Sequence, residues 1–269
     1  MPRFSIVIPT WKNLSCLDLA VRSLRRHSAV EHEIIVCFNE ADDACRQWGG
    51  GTGVQTLYFE HNLGVCGAVN RGVKQAGCDH VCFFNDDMVA LPGWDTALMQ
   101  YLGMADPLWL SGTAIEAGRA HPGYIGGQDY GCDPSHFREA DLLNDLPRLR
   151  RPYNVVSTWT PLLLAKRDWD AVGGFDEAYF PGEGSDPDLA FAMYQHGCRH
   201  FIGVGTSLVY HFSRMTASRF DASVCTDAKA CFKRKWGMTW KRFLRSILHR
   251  DRVITPGYPQ VGGGVFRWF

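Results

Sequence analysis

The chain lacks an excess of either charge and lacks any long apolar run. Over its 269 residues, 28 Lys and Arg balance 28 Asp and Glu, so the whole molecule offers no electrostatic basis for binding nucleic acid. No apolar run reaches the length of about 18 residues that spans a bilayer. The N-terminus enters an apolar strand pattern directly, without the features of a signal peptide. We therefore expect a cytoplasmic protein that has no nucleic-acid partner.

Paired cysteines are also missing. The ten cysteines are scattered along the chain, form no Cys-x-x-Cys pair, and several lie inside apolar runs. Disulfide frameworks and zinc sites show regular spacings, whereas isolated cysteines in apolar surroundings behave as small hydrophobic residues. The sequence thus predicts buried free thiols in a reducing compartment.

What the chain does contain is an alternation of strand-like and helix-like segments. Apolar runs predict strands over residues 4–8, 33–38, 55–59, 81–84, 155–165 and 201–210. Helical spacing follows over residues 14–27, 64–76, 92–102 and 187–196. Alternation of this kind is typical of βαβ units and a parallel sheet. Residues 112–153 have no clear period, and we interpret them as an irregular insertion over one sheet edge.

Two of the apolar runs end in side chains that bind metals. Asn85-Asp86-Asp87 follows one run, and His211 follows another. Adjacent carboxylates after a buried strand repel each other unless a cation or hydrogen-bond donors compensate them; the alternative is a turn that uses them for local backbone bonds. A lone histidine is more often a satisfied core or surface residue. If both strand ends share one edge, however, Asp87 and His211 can hold one cation, a combination that suits Mn²⁺ better than Mg²⁺.

A glycine-rich turn at residues 181–188 carries three more carboxylates, of which Asp186 and Asp188 lie at a helix start. Ser185 is a good helix N-cap with Asp188 three residues on, so one interpretation gives both Asp186 and Asp188 a role at the helix start only. The other interpretation leaves Asp186 exposed beside a ligand cleft as a proton acceptor, while Asp188 caps the helix or orients an acceptor. We favour Asp186 as a general base.

Together these segments resemble the successive motifs of glycosyltransferase family 2. The resemblance lies in Ser5-Ile-Val-Ile-Pro-Thr-Trp11, His61-Asn-Leu-Gly-Val-Cys-Gly-Ala-Val-Asn-Arg-Gly72, Phe84-Asn-Asp-Asp87, Gly173-Gly-Phe-Asp-Glu177, Gly184-Ser-Asp-Pro-Asp-Leu189 and His211. It covers roughly residues 4–237 if Lys235-Trp-Gly237 is counted. The Asn-x-Asp spacing after the fourth strand resembles a bacterial rhamnosyltransferase-like subgroup of polysaccharide enzymes.

The resemblance implies a GT-A fold, with a Rossmann-like, mostly parallel central sheet flanked by helices, to which the composition of the C-terminal segment adds a basic helical tail. It implies a catalytic domain over residues 1–215, with a nucleotide-sugar half at 1–110 and an acceptor half at 111–215, followed by a helical extension over 216–269. The implied activity is inverting transfer of a sugar from a nucleotide-diphosphate sugar to a glycan or lipid-linked acceptor.

Site residues carry over by position. The resemblance places the donor nucleotide against Pro9, Thr10, Trp11, Asn39, Asn62, Gly64, Asn70 and Asp86. It implies that Asp87 and His211 bind the metal, Mn²⁺ or Mg²⁺, and that Asp186 takes the proton of the acceptor hydroxyl group. The chain departs from the family at the end of the second strand, where an acid commonly contacts the base: the stretch here is Cys37-Phe-Asn-Glu40, in which Asn39 or Glu40 substitutes for that acid. It also departs at Ser185, where a glutamate is usual, and at Ala192, where an arginine is common.

Two rival functions remain. A sugar nucleotidyltransferase needs a glycine-rich basic loop after the first strand, which residues 9–13 do not provide. A non-catalytic binding module on the same fold has no need of a base such as Asp186.

The segment 229–252 has nine Lys or Arg against one acid, interleaved with aromatic residues. This composition fits either a helix on an anionic membrane surface, at the inner face of the membrane, or a terminal helix that packs its aromatic residues on the core.

Overall fold

Strand β1 forms the centre of the structure, a computed structural model that describes residues 3–118, 123–213 and 225–248. All six residues of β1, Ser5–Thr10, are buried. The strand lies between β2 (Glu33–Phe38) and β4 (His80–Phe83) and is parallel to both. Because both faces of β1 are covered by helices, its residues 6–9 form a continuous apolar run and do not alternate.

The remaining strands are β3 (Gln55–Tyr58), β5 (Met88–Ala90), β6 (Trp109–Ile115), β7 (Tyr124–Ile125), β8 (Val155–Val156), β9 (Leu162–Ala165) and β10 (Phe201–His211). The described residues form one ten-stranded sheet in the order β3-β2-β1-β4-β9-β6-β10-β5, with β7 beside β6 and β8 beside β10. The helices are α1 (Leu14–His27), α2 (Asp43–Thr52), α3 (Gly64–Gln75), α4 (Trp94–Met99), α5 (Glu139–Leu149), α6 (Lys166–Val172), α7 (Ser185–Gln195), α8 (Ala228–Trp236) and α9 (Trp240–Arg242), with a π-helical turn at Phe243–Leu248.

The predicted α/β fold with a helix-flanked sheet is confirmed, and the sheet is mixed. Five of its nine strand pairings are parallel and four are antiparallel. Strand β9 is antiparallel to both β4 and β6, its neighbours on either side. Strands β1, β2, β4, β6 and β10 therefore all run in one direction, and their carboxyl ends meet at one edge.

The interpretation of residues 112–153 as an irregular insertion was only partly right. The end of the buried strand β6 and the helix α5 both lie within this segment, of which residues 119–122 are outside the described structure. Small polar residues hid the strand from the hydrophobic pattern. Thr113 Oγ1 donates to the Val204 carbonyl at 2.9 Å and Ser111 Oγ accepts from Trp109 Nε1 at 2.9 Å, so both hydroxyls are buried but satisfied.

The predicted strand over 155–165 was also only partly right. It divides into β8, paired with β10, and β9, paired with β4 and β6. The chain between them crosses from one side of β6 to the other, which a single strand cannot do.

The C-terminal segment packs on the main core. Phe232, Phe243 and Leu248 are buried in the same apolar cluster as Phe191 of α7. The Trp236 ring lies 4.7 Å from the Phe191 ring, centroid to centroid. Of the two interpretations of the basic segment, core packing is therefore correct for these aromatic side chains.

The rest of the tail, residues 216–224 and 249–269 with the glycines at 262–264, falls outside the described residues. Within residues 3–118, 123–213 and 225–248, no helix combines the length and the apolar character that a membrane span requires.

The prediction of free thiols is confirmed, since all ten cysteines are unbridged. Six of them are buried. Burial raises the pKa of the Cys37 and Cys66 thiols to about 12, so these side chains act as apolar core residues.

Candidate active site

The register of three strands brings Asp87, His211 and Glu116 into one row. His211 of β10 pairs with Met88 of β5, so Asp87 lies at the start of β5 beside His211. On the other side, Tyr210 pairs with Ile115 of β6, which places Glu116 next to His211. The backbone bond from Phe212 N to the Asp87 carbonyl, 3.0 Å, fixes this alignment.

The imidazole of His211 is held on both of its nitrogens. Nε2 lies 3.1 Å from Asp87 Oδ1, and Nδ1 lies 2.7 Å from Glu116 Oε1. The expected meeting of Asp87 and His211 at one sheet edge is thus found. Glu116 was missed because its strand was not recognised, although an acid directly after a buried strand is the same signal that identified Asp87.

Charge on the two carboxylates controls the protonation of His211. Burial disfavours the imidazolium, but Asp87 and Glu116 outweigh it and raise the pKa of His211 to about 10. A cation bound at this place would have to displace that proton, because a histidine ligand is neutral. The same electrostatic field that attracts the proton attracts a metal ion.

The donor set fits a divalent cation of the Mn²⁺ or Mg²⁺ type. A carboxylate and an imidazole form a mixed oxygen and nitrogen set that Mn²⁺ accepts readily. Neighbouring ligands on an octahedral ion at about 2.1 Å lie about 3 Å apart, which is close to the separation of Asp87 Oδ1 and His211 Nε2. Asp86, 5% exposed like Asp87, lies in the same turn.

Buried polar atoms without hydrogen-bond partners lie at the same edge, among the residues predicted to bind the nucleotide. Within the described part of the chain, Thr10 Oγ1, Asn13 Nδ2 and Asn62 Nδ2 are buried and form no hydrogen bond. Each such atom costs about 1–3 kcal/mol if it stays unpaired. They lie at the end of β1, before α1 and before α3, which are the loops that hold ligands in α/β sheets. Their chemistry suits the hydroxyl and carbonyl oxygens of a nucleotide, and Asn13 adds to the predicted set.

Several predicted nucleotide residues are engaged with the protein backbone. Asn39 accepts from Leu63 N at 2.9 Å and donates to the Gly64 carbonyl at 3.3 Å, which ties β2 to the loop before α3. Asn70 binds both the N–H and the carbonyl of Phe175, at 2.9 and 2.8 Å. Their contact with a nucleotide stays a prediction.

The other residues at the end of β1 have different surroundings. Pro9 is buried and paired with Cys37 of β2. Trp11 donates from Nε1 to Glu40 at 2.6 Å, and Lys12 forms an exposed ion pair with the same carboxylate at 3.1 Å. Glu40 therefore lies beside Trp11 and Lys12, and which of Asn39 and Glu40 contacts the nucleotide base stays a prediction.

Gly64 has a positive φ of 67° and a close neighbour. A Cβ there would lie 3.0 Å from the Pro181 carbonyl oxygen and from the Phe180 ring. Next to it, Val65 N donates to the same carbonyl at 2.7 Å. Glycine at this position therefore allows the loop before α3 to pack closely against the turn that leads into α7.

Asp186 lies in the first helical turn of α7, shortly after the loop that contains Pro181. Burial raises the pKa of its carboxyl group to about 7, the value that best suits a general base at neutral pH. The charge of Asp186 acts on Cys66, in the first turn of α3. Since α3 begins at the carboxyl end of β3 and its Val65 N binds the Pro181 carbonyl, the start of α7 lies near the same edge as the predicted nucleotide-binding residues.

The predicted capping roles of Ser185 and Asp188 were wrong. The N-cap is Gly184, with φ of 83° and no side-chain cap bond, and Ser185 is the first helical residue. Ser185 Oγ donates back to the Gly182 carbonyl at 2.7 Å. Asp188 is 1% exposed and accepts hydrogen bonds from three side chains, so its partners lie in the core and not at the helix start.

Comparison with known proteins gives sequence matches along the chain. Residues 5–127 match the family model described as Glycosyl transferase family 2. The chain is 30% identical over 111 residues to GalNAc(5)-diNAcBac-PP-undecaprenol beta-1,3-glucosyltransferase of Campylobacter jejuni, covering 37% of this chain and 34% of that protein. It is 23% identical over 238 residues to validoxylamine A glucosyltransferase of Streptomyces hygroscopicus, covering 73% of this chain and 52% of that protein. The chain thus spans about a third to a half of these relatives.

Solved structures share the fold. GalNAc-T7 with UDP, GalNAc and Mn²⁺ has a TM-score of 0.59 at 14% identity, covering 78% of this chain and 44% of that one. TarS 1–349 of S. aureus has a TM-score of 0.51 at 13% identity, covering 79% and 58%. At these identities the likeness concerns the fold alone. The chain therefore has a GT-A-like mixed α/β fold and carries, over residues 5–127, a match to Glycosyl transferase family 2.

Proposed function

We propose that the protein is an inverting, metal-dependent glycosyltransferase that moves a sugar from a nucleotide-diphosphate sugar to a hydroxyl group of a glycan or lipid-linked acceptor. The observation that carries the proposal is the pairing of Asp87 with His211 at 3.1 Å. It lies at the edge that also carries unpartnered polar atoms on the donor side and a carboxylate with a pKa of about 7 on the acceptor side.

The donor binds at the ends of β1 and β2 and in the loop before α3. Thr10, Asn13 and Asn62 supply the buried polar atoms for the nucleoside. Asp86, Asp87 and His211 face the diphosphate, where a divalent cation, when bound, neutralises the charge that develops on the leaving group. Without it, two phosphates beside Asp86 and Asp87 would experience strong repulsion.

The acceptor reacts on the opposite face of the sugar. Asp186, as a carboxylate, takes the proton of the acceptor hydroxyl group while the oxygen of that group attacks the anomeric carbon. The new carbon–oxygen bond forms as the bond to the diphosphate breaks, and the nucleoside diphosphate leaves with the bonding electrons. A single displacement of this kind inverts the configuration at the anomeric carbon.

A lipid-linked or glycan acceptor, within polysaccharide synthesis, agrees with the name of the Campylobacter jejuni relative, which specifies an undecaprenol-linked glycan. The resemblance of Asn85–Asp87 to the rhamnosyltransferase-like subgroup adds deoxyhexoses to the candidate sugars. The exposed basic side chains of residues 228–248 would bring the enzyme to an anionic membrane that holds such an acceptor.

The experiment is a thermal-shift screen of UDP, GDP, dTDP and CMP with Mn²⁺, followed by hydrolysis and transfer assays with the matching nucleotide sugars. A nucleotide at about 100 times its Kd adds about 2.7 kcal/mol of stability. In Asp87→Ala the Mn²⁺-dependent part of nucleotide affinity should disappear while the protein stays folded. Nucleotide affinity that is equal with Mn²⁺ and with EDTA contradicts the metal site. Binding without hydrolysis or transfer would identify a binding module instead of an enzyme.

A further inference from the structure

Asp188 connects the helix that carries Asp186 to the C-terminal segment. Its Oδ1 accepts from Trp236 Nε1 at 2.6 Å and from the Tyr179 hydroxyl at 3.0 Å, and its Oδ2 accepts from Lys235 Nζ at 2.8 Å. Asp188 is 1% exposed, and burying a carboxylate is costly unless hydrogen-bond donors compensate it, as these three side chains do. Helix α8 ends directly after Trp236, because Gly237 adopts a φ of 68°.

A second contact reaches the peptide just before α7. A Cβ at Gly184 would lie 2.8 Å from the Ala228 Cβ and 2.9 Å from the Trp240 ring. Both neighbours belong to the C-terminal segment. The backbone two residues before Asp186 is therefore in direct contact with that segment, and no side chain fits between them.

A third group of contacts holds the turn that precedes α7. Thr226 donates from its N–H to the Phe180 carbonyl and from its hydroxyl to the Ala178 carbonyl, both at 2.8 Å. Lys235 Nζ also reaches Asp176 Oδ2 at 2.7 Å. On its other side the turn is held by the hydrogen bond from Val65 N to the Pro181 carbonyl. The turn therefore lies between helix α3 and the C-terminal segment.

Asp186 has no comparable anchor of its own. Among the residues that the structure describes, none forms a hydrogen bond or an ion pair with its carboxylate. Its position relative to the cleft is set by the first turn of α7, which the contacts of Asp188 and Gly184 hold in place.

We propose that helix α8 contributes to catalysis through Lys235 and Trp236. These two positioning residues bind Asp188 and thereby hold Asp186 where its carboxylate can take the proton of the acceptor hydroxyl group. The inference rests on the proposed function. It assigns a role in catalysis to Lys235 and Trp236, which belong to the Lys235-Trp-Gly237 part of the resemblance but lie outside residues 5–127, which match the family model, and outside all the predicted site residues.

The test is a double-mutant cycle on purified full-length protein. Trp236→Phe removes the Nε1 donor but keeps a ring against Phe191. We expect kcat for sugar transfer to fall about tenfold to a hundredfold, as for other small displacements of a reacting group, with the donor Kd unchanged. In the Asp186→Asn background the same substitution should cost nothing further in kcat, because no base remains to be positioned.

The control is Trp48→Phe, which removes a similar bond, from Nε1 to Asp18 Oδ1 at 3.0 Å, between α2 and α1. It should leave kcat unchanged.

Lys235→Gln, at a residue whose side chain is 34% exposed, repeats the cycle if Trp236→Phe does not fold. An equal loss of kcat in both backgrounds, an unchanged kcat, or a parallel loss of donor affinity overturns the inference. A normal kcat in Asp186→Asn alone refutes the assigned base, and with it the proposed function at that residue.

Discussion

Glu116 Oε1 lies 2.7 Å from Nδ1 of His211, on the opposite side of the imidazole from Asp87. A carboxylate in this place fixes the ring orientation and directs Nε2 toward Asp87. Metal-binding histidines are commonly held by such an outer carboxylate, which also strengthens the ligand. The row of three side chains thus has the form of a cation site with a supporting residue.

This arrangement predicts that Glu116→Gln weakens Mn²⁺ binding. The amide keeps the shape but loses the charge that orients and polarises the imidazole, and such changes typically cost about 10-fold to 100-fold in metal affinity. Titration followed by electron paramagnetic resonance measures this without reference to activity. Glu139→Gln is the matched control, since Glu139 contacts His27 Nε2 at 3.3 Å on the outer helices. Equal Mn²⁺ affinity in both variants would show that Glu116 has no part in the site.

A second prediction concerns the base. Asp186→Asn should lower kcat by a factor of about 10² to 10⁴, the usual contribution of general-base catalysis, while donor affinity stays within about twofold of the wild type because the base acts on the acceptor. Glu183→Gln, an exposed carboxylate in the same turn, is the control and should keep the rate. Loss of turnover in Glu183→Gln with normal turnover in Asp186→Asn would show that Glu183, and not Asp186, is the general base.

The pH dependence of the rate gives a third prediction. Because the pKa of Asp186 is raised to about 7 and only its ionised form accepts a proton, kcat should fall about tenfold per pH unit below that value and level off above it. Rates measured with saturating donor and Mn²⁺ separate this effect from metal binding. A rate that is constant from pH 5 to pH 8 would contradict the raised pKa.

The same raised pKa has a consequence for stability. A carboxyl group with a higher pKa in the folded state favours folding fully below its unfolded pKa, about 3.9, and this contribution is lost as the pH rises toward 7. Asp186→Asn should therefore raise the Tm relative to wild type at pH 8 and leave it nearly unchanged at pH 4. Calorimetry at the two pH values measures the difference. A lower Tm at pH 8 would mean that the charged carboxylate has stabilising contacts.

The last prediction concerns the exposed basic side chains of the C-terminal segment. Each Lys or Arg near an anionic membrane contributes about 1 kcal/mol, so Lys233→Gln combined with Lys241→Gln should weaken binding to phosphatidylserine vesicles by about 2 kcal/mol. The control pairs Arg25→Gln with Arg26→Gln on α1, which are equally exposed. Vesicle co-sedimentation that is equal for anionic and neutral lipid would remove the electrostatic form of this proposal.

The sequence by itself determined the central strands and the residues at their ends. Fully apolar runs such as 6–8 and 81–84 specify buried strands, and an acid or histidine directly after such a run is visible without a structure. Asp87 and His211 were found in this way because parallel strands share one carboxyl edge. Where small polar residues replace the apolar pattern, as at Ser111 and Thr113, the strand was missed, and Glu116 was missed with it.

Only the tertiary structure decided which of two local interpretations held. Asp188 has the spacing of a capping residue, yet its partners Trp236 and Lys235 come from a helix far along the chain. The aromatic residues of that helix could equally face a lipid surface or a core, and the choice depended on the apolar face that Phe191 offers. Local periodicity fixes which side of a helix is apolar, but the partner that covers it is set by the chain's path in space.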